Sequence, residues 1–374
     1  MKHSSSSQLS GVRKFRQYLP LKTGHRVLDF ALVLVPAAFL VAYVSSSAVL
    51  IFSASALGII PLAASLGKAT DDLSSKLGEK LGGLLNATMG NATELIIAFF
   101  ALREGHQAVV KASLSGSIIG NVLLVLGTSV WVGGIGRQRQ TFDRRAVSAS
   151  VTMMFIAVIA LVMPAVYALS VHGNLSTGMP ALDRFSLWTG GVLIGLYACG
   201  LLFQIRNRET PLTSEGADDR VEPSWMPAIS LLIATALIAV LSEMLVNQIS
   251  AAQHALGLSS MFVGVVIVAT VGNAAEHSTA IMMAHKNKMD LTLSICIGSS
   301  VQVALFVAPV LVFASYLLGN PMQLFFSPLE IAGIALATLT LEMIVNDGET
   351  VWFEGAELIA AYLILGIAFY LVPG

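Results

Sequence analysis

Long apolar runs, separated by short polar segments, fill almost the whole chain. Each run approaches the roughly 20 residues that an α-helix needs to cross the hydrocarbon core of a bilayer. The pattern therefore predicts an all-α polytopic membrane protein with eleven transmembrane helices. We place these spans at residues 27–43, 46–66, 80–103, 107–133, 145–169, 185–205, 225–247, 260–285, 290–314, 327–345 and 355–372.

Composition supports this class and excludes others. Of the 374 residues, 55% are hydrophobic and 11% are charged, and the net charge is −1. The mean hydropathy is +0.78. We therefore expect the lipid bilayer to surround the protein, and we expect neither a nucleic-acid partner nor a soluble enzyme domain. Homo-oligomerisation stays open.

Lysine and arginine predict the orientation, because cytoplasmic loops carry an excess of both. With a cytoplasmic N-terminus, all but three of the 21 Lys and Arg residues fall on the cytoplasmic side; the exceptions are Arg103, Lys111 and Arg184. The C-terminus then lies outside. The compact loops favour a bacterial plasma membrane, and a vacuolar membrane is the alternative in a eukaryote.

One stretch of the sequence occurs twice. Residues 87–94 read Ala-Thr-Met-Gly-Asn-Ala-Thr-Glu, and residues 269–276 read Ala-Thr-Val-Gly-Asn-Ala-Ala-Glu. At this offset of 182 positions, eleven of the 39 residues from 87 to 125 are identical, and most of those are small or polar. We interpret this as an internal duplication that has kept its polar centre.

The duplication predicts two inverted five-helix repeats. The copies lie on the third and eighth spans, so an odd number of spans separates them and they cross in opposite directions. Such repeats are typical of secondary transporters, whose site lies near the midplane. We divide the chain into a basic cytoplasmic tail (1–26), an extra helix (27–43), a first repeat (46–205), an acidic cytoplasmic linker (206–224) and a second repeat (225–372).

The duplicated glutamates are the first candidates for a site, because a carboxylate at membrane depth is costly and usually functional. Each copy places a threonine, an asparagine and a glutamate at intervals of three, on one helix face: Thr88, Asn91 and Glu94, then Thr270, Asn273 and Glu276. Carboxylates and neutral oxygens suit a hard cation such as Ca²⁺ rather than zinc or copper. Gly90 and Gly272, one turn earlier, are consistent with broken helices that free carbonyl ligands, or with helix packing alone.

These residues resemble the Ca²⁺/cation antiporter superfamily and, within it, the Ca²⁺/H⁺ exchanger (CAX) family. The resemblance covers nearly the whole chain beyond about residue 27. The matching stretches are Leu-Leu-Asn-Ala-Thr at 84–88, Gly-Asn-Ala-Thr-Glu-Leu-Ile-Ile-Ala at 90–98, Ser-Leu-Ser-Gly-Ser-Ile-Ile-Gly-Asn at 113–121, Gly-Asn-Ala-Ala-Glu-His at 272–277, Ile-Gly-Ser-Ser-Val-Gln at 297–302 and Asn-Asp-Gly-Glu-Thr-Val-Trp-Phe-Glu-Gly at 346–355.

The resemblance implies which residues bind the ion. Glu94 and Glu276 are expected to be the main carboxylates, with Asn91 and Asn273 beside them. Ser117, Ser299 and Gln302 are expected to face the site from the next helices. Gly120 aligns with Gln302 but has no side-chain oxygen, so unequal coordination by the two halves is expected. The implied mechanism is alternating access with Ca²⁺ leaving the cytosol in exchange for H⁺, and no cofactor is expected.

Electrostatics gives the same coupling independently. Two glutamates in a low-dielectric site repel each other, so they bind protons when no divalent cation is present. Glu94 and Glu276 are therefore the first proton-coupling candidates. His277, next to Glu276, and Glu243, on the seventh span, are further candidates.

Other functions stay open at this point. Within transport, the alternatives are Na⁺-coupled Ca²⁺ exchange and exchange of another cation for protons. A channel fits inverted repeats with few midplane acids poorly. An intramembrane two-carboxylate hydrolase would require both acids within reach of each other and of water.

Overall fold

The computed structural model describes residues 21, 23, 26–173, 180–207 and 225–372. The predicted basic tail (1–26) and acidic linker (206–224) therefore lie mostly outside the described residues. The described part is almost entirely helical. Its helices are α1 (Arg26–Ala31), α2 (Leu34–Val44), α3 (Ala48–Met89), α4 (Ala92–Arg103), α5 (Gln107–Ile119), α6 (Leu126–Gly134), α7 (Arg144–His172), α8 (Pro180–Asn207), α9 (Met226–Val246), α10 (Ile249–Leu256), α11 (Ser260–Phe262), α12 (Ala269–His285), α13 (Met289–Gln302), α14 (Ala308–Leu317), α15 (Pro328–Val345) and α16 (Trp352–Tyr370).

Three π-helical segments and one short ribbon complete the fold. The segments are π1 (Gly120–Val125), π2 (Val263–Val268) and π3 (Val303–Val307). Strands β1 (Gln140–Thr141) and β2 (Glu349–Thr350) pair antiparallel and connect loops from the two halves. Isolated π turns inside α-helices often occur at functional sites, and π1 and π3 lie on the helices predicted to face the ion.

The predicted span count is confirmed. Ten helical stretches in the described residues are long and apolar enough to cross a membrane. An eleventh span is a bent pair, Leu81–Met89 with Ala92–Arg103, whose two parts meet at 44°. The span 107–134 has 89% of its apolar window buried, against 11% for 27–44. The N-terminal helix is thus peripheral, and the fourth span is central.

The helix boundaries repeat at the offset found in the sequence. Arg103 ends α4 and His285 ends α12; Gln107 begins α5 and Met289 begins α13. Both pairs lie 182 positions apart, and π1 and π3 overlap at the same offset. The duplication therefore extends from the sequence to the backbone irregularities.

One connection differs from the sequence prediction. We expected a cytoplasmic loop between residues 66 and 80, because the second predicted span ends at 66, the third begins at 80, and Lys68 and Lys76 lie between them. Instead, helical structure continues to Gly78, whose φ of 77° and ψ of 172° break the helix there. Lys68 and Asp72, four residues apart, form an ion pair that helix geometry favours, so the charged segment extends the second span.

Small residues allow the central helices to approach closely. A Cβ on Gly116 would lie 2.4 Å from the backbone of Val265, and a Cβ on Gly264 would lie 2.4 Å from Cβ of Ala112. Membrane helices commonly cross at such small residues. This crossing packs α5 of the first half against π2 of the second, and it holds the two glutamate-bearing regions together.

Candidate functional site

The two duplicated glutamates come from opposite halves and meet in one polar cluster. Glu94 lies in the first turn of α4, just after the helix break at Gly90 and Asn91. Glu276 lies in the middle of α12. The carboxylates are close enough to interact electrostatically. Each carboxylate also lies against the duplicated glycine of the other copy. A Cβ on Gly272 would lie 2.8 Å from Cγ of Glu94, and a Cβ on Gly90 would lie 3.7 Å from Oε1 of Glu276.

Glu94 is held by donors from both halves. Its Oε1 accepts hydrogen bonds from the Ser117 hydroxyl and from Nδ2 of Asn273. Asn273 Nδ2 also lies 3.0 Å from Oγ of Ser117 and 2.9 Å from the carbonyl oxygen of Ala269. All three side chains are buried, with Glu94 6% exposed. The carboxylate is thus fixed in position while Oε2 remains without a hydrogen-bond partner.

The other side of the cluster is built around Asn91. Its Nδ2 donates to Oε1 of Gln302 at 2.6 Å, and its Oδ1 accepts from the Ser299 hydroxyl at 3.0 Å. Ser299 also interacts with the carboxylate of Glu276. Asn91, in the first half, therefore forms hydrogen bonds to α13 of the second half. In the same way, Asn273, in the second half, forms a hydrogen bond to Glu94 of the first half.

Three buried oxygen atoms in this cluster have no hydrogen-bond donor. They are Oε2 of Glu94, Oε2 of Glu276 and Oδ1 of Asn273. Buried polar atoms are normally paired, so each exception calls for an explanation. Two carboxylate oxygens and an amide oxygen are ligands that Ca²⁺ prefers. These three oxygen atoms therefore fit a hard divalent cation as their ligand.

A helix break at the duplicated glycines occurs in only one half. Gly90 and Asn91 separate α3 from α4. Gly272 lies inside the unbroken helix α12 and against Glu94, so of the two interpretations left open, helix packing holds for this half. The irregularity there is π2, which ends at Val268, directly before α12. In the second half the helix is therefore irregular before the duplicated motif, whereas in the first half it is interrupted within the motif.

The two predicted threonines do not join the cluster. The Thr88 hydroxyl donates to the carbonyl oxygens of Leu84 and Leu85, on its own helix. The side chain of Thr270 lies near that of Tyr362, on α16, instead. Helix periodicity placed Thr88 on the face of Glu94, but the break at Gly90 and Asn91 ends that periodicity.

The further proton-coupling candidates lie in two different places. His277 Nε2 lies 3.1 Å from Oδ1 of Asn121, and Nδ2 of Asn121 is buried without a partner. This pair is next to the cluster because His277 directly follows Glu276 in the chain. Glu243 lies near the end of α9 and pairs with Arg103 at 2.6 Å, with both side chains more than 40% exposed. Glu243 is thus outside the cluster.

Sequence reasoning did not single out Asn121 or Tyr197. Asn121 ends the motif at residues 113–121, which carries the family resemblance, so that motif could have identified Asn121 as a candidate. The Tyr197 hydroxyl donates to the carbonyl oxygen of Ala87 at 2.8 Å. Nothing in the pattern around Tyr197 indicates this contact.

Comparison with known proteins identifies the family. A family model described as "Sodium/calcium exchanger protein" matches residues 47–206 and 226–371, one segment in each half. The chain belongs to this sodium/calcium exchanger family. Its duplicated glutamate motifs lie within the two matched segments.

Relatives of this chain refine the assignment. A Ca(2+)/H(+) antiporter of Aphanothece halophytica is 40% identical over 359 residues, covering 91% of this chain and 95% of the relative. The Ca(2+)/H(+) antiporter ChaA of Bacillus subtilis is 43% identical over 335 residues, covering 87% and 93%. The solved structure of native YfkE is 38% identical with a TM-score of 0.81, covering 92% of this chain and 100% of that one. The predicted membership of the CAX group is confirmed.

Proposed function

We propose that the protein is a secondary active antiporter that exports Ca²⁺ from the cytosol in exchange for H⁺. The observation that carries the proposal is the set of three unpartnered buried oxygens on Glu94, Glu276 and Asn273. The relatives described as Ca(2+)/H(+) antiporters support the choice of ions.

Exchange follows from the two carboxylates. A divalent cation between them is stabilised when both are ionised, whereas in its absence their repulsion in a low-dielectric setting favours protonation. Occupancy by Ca²⁺ and occupancy by protons therefore exclude each other. Whichever occupant is bound must leave on one side of the membrane before the other binds.

Alternating access is supported by the position of the cluster between the halves. The first part of the broken span, Leu81–Met89, is more exposed than the second part, Ala92–Arg103, most of whose residues are buried. Gly90 is exposed and Glu276 is half-buried. With a cytoplasmic N-terminus, this open flank is on the cytoplasmic side, and the exposed Asp71, which interacts electrostatically with Glu276, lies along it. We propose a cytoplasmic route to the site along this flank.

The location and boundaries rest on the sequence. We propose a plasma membrane of a bacterial cell, with the N-terminus in the cytoplasm and the repeats at residues 46–205 and 225–372. The Lys and Arg distribution supports the orientation.

The decisive experiment is ⁴⁵Ca²⁺ uptake into proteoliposomes with an acidic interior. Uptake should depend on the pH gradient and should stop when a protonophore collapses it. Glu94→Gln and Glu276→Gln should each reduce uptake on the order of 100-fold, since losing one partner of a buried charged site costs about 2–5 kcal/mol. Glu342→Gln is the matched control, because Glu342 is an exposed glutamate on another span.

Each other outcome has a definite meaning. Uptake that follows a Na⁺ gradient and ignores the pH gradient would place the protein with the sodium-coupled exchangers. Uptake unaffected by both glutamine variants would refute the two-glutamate site. Absence of Ca²⁺ flux under either gradient would refute Ca²⁺ as the substrate.

A further inference from the structure

The broken helix beside the site leaves carbonyl groups without helical donors. The last carbonyls of an α-helix have no intrahelical partner, and α3 ends at Met89. The Ala87 carbonyl accepts a hydrogen bond from the Tyr197 hydroxyl at 2.8 Å instead. Tyr197 comes from α8 and is 8% exposed, so a buried side chain satisfies the end of the broken helix.

The ring of Tyr197 contacts a second irregular segment. It stacks on Phe306, with centroids 5.3 Å apart and an interplanar angle of 25°. Phe306 lies in π3, which begins directly after Gln302. Since Gln302 bonds to Asn91 at 2.6 Å, one side chain touches both backbone segments whose polar residues meet in the cluster.

The second half contains a similar contact. Tyr362, on α16, lies close enough to the side chain of Thr270 on α12 to interact with it. Thr270 lies 182 positions after Thr88, the residue next to Ala87. The last helix of each half also packs against the π segment of the other half, α8 against π3 and α16 against π1. Each half therefore has a tyrosine from its last helix beside the duplicated Ala-Thr dipeptide, although only Tyr197 hydrogen-bonds to the backbone there.

We infer that Tyr197 is a positioning residue for the cation site. Its hydroxyl holds the end of α3 and its ring supports π3, so that Asn91 and Gln302 keep the geometry in which they meet. The inference rests on the proposed function, because the site it positions is the one proposed to hold Ca²⁺. Tyr197 itself does not touch the ion.

Tyr197→Phe is the sharpest test, because it removes the hydroxyl and keeps the stacked ring. The Ca²⁺ concentration for half-maximal proton-driven uptake should rise about 5- to 150-fold, the range that corresponds to leaving one buried carbonyl unpartnered. Hydrogen exchange measured by mass spectrometry on the purified protein should accelerate in a peptide covering residues 88–95. Tyr167→Phe is the matched control, since Tyr167 also stacks on a phenylalanine, Phe185, at 5.7 Å.

The two measurements separate the inference from the proposed function. Unchanged exchange at residues 88–95 in Tyr197→Phe would overturn the inference, and so would faster exchange with an unchanged half-saturating Ca²⁺ concentration. A similar effect in Tyr167→Phe would also overturn it, because the response would then be a general one. If the wild-type protein transports no Ca²⁺ but exchange at 88–95 accelerates, Tyr197 still holds the helix break and only the proposed function fails.

Discussion

Gly272→Ala would place a methyl group against the side chain of Glu94. The added Cβ would lie 2.8 Å from Cγ of Glu94, whereas carbon atoms in good contact lie about 3.5–4.0 Å apart. Glu94 or α12 must therefore move by about 1 Å. Because α12 is an unbroken helix in a packed interior, we expect Glu94 to give way.

The effect on transport follows from what Glu94 loses when it moves. Its Oε1 accepts bonds from Ser117 and Asn273, and a hydrogen bond to a charged group contributes about 1.5–3 kcal/mol. Weakening these bonds by about half in total costs roughly 1.5–3 kcal/mol, which corresponds to about a 10- to 100-fold rise in the half-saturating Ca²⁺ concentration. Overpacking should also lower the thermal stability of the protein modestly.

The assay is proton-driven ⁴⁵Ca²⁺ uptake over a range of Ca²⁺ concentrations. Gly298→Ala is the matched control, because Gly298 is also a duplicated helical glycine and no atom lies within 4 Å of a Cβ placed there. Both variants gain the same helix propensity, so propensity cancels in the comparison. If Gly272→Ala matches Gly298→Ala, then contact between the copies does not set the position of Glu94, and the reasoning fails.

Two further predictions concern protons. Because Ca²⁺ binding must displace protons from Glu94 and Glu276, the half-saturating Ca²⁺ concentration should rise as the pH on the Ca²⁺-loading side falls, by up to about tenfold per pH unit for each proton displaced; binding that is independent of pH between 6 and 8 in the purified protein would contradict this competition. Glu243→Gln should keep proton-driven uptake within about twofold of wild type, since Glu243 forms an exposed ion pair with Arg103 and such pairs contribute only about 0.2–1 kcal/mol. Arg103→Gln is its control, and a loss in Glu243→Gln as large as in Glu94→Gln would instead place Glu243 in the proton path.

The features that the sequence predicted well depend on local pattern. Span number follows from apolar length, and the pairing of Glu94 with Glu276 follows from a duplication read at a fixed offset. The features it missed depend on contacts between distant segments. Tyr197 and Ala87 are 110 positions apart, and no periodicity links them. Thr88 was misplaced for a related reason, because helix periodicity holds only while the helix continues, and the chain breaks at Gly90 and Asn91.

A single unmatched position explains why the two halves of the site differ. In the second half, Asn273 donates directly to the glutamate of the first. By symmetry Asn91 would donate to Glu276, but its Nδ2 donates to Gln302 instead. Gly120, which corresponds to Gln302, has no side chain with which to divert Asn273. Glu94 therefore has two side-chain donors, whereas Glu276 interacts with the Ser299 hydroxyl. A duplicated sequence thus produces two carboxylates that are not equivalent. Glu94→Gln and Glu276→Gln should therefore change the pH dependence of Ca²⁺ binding to different extents.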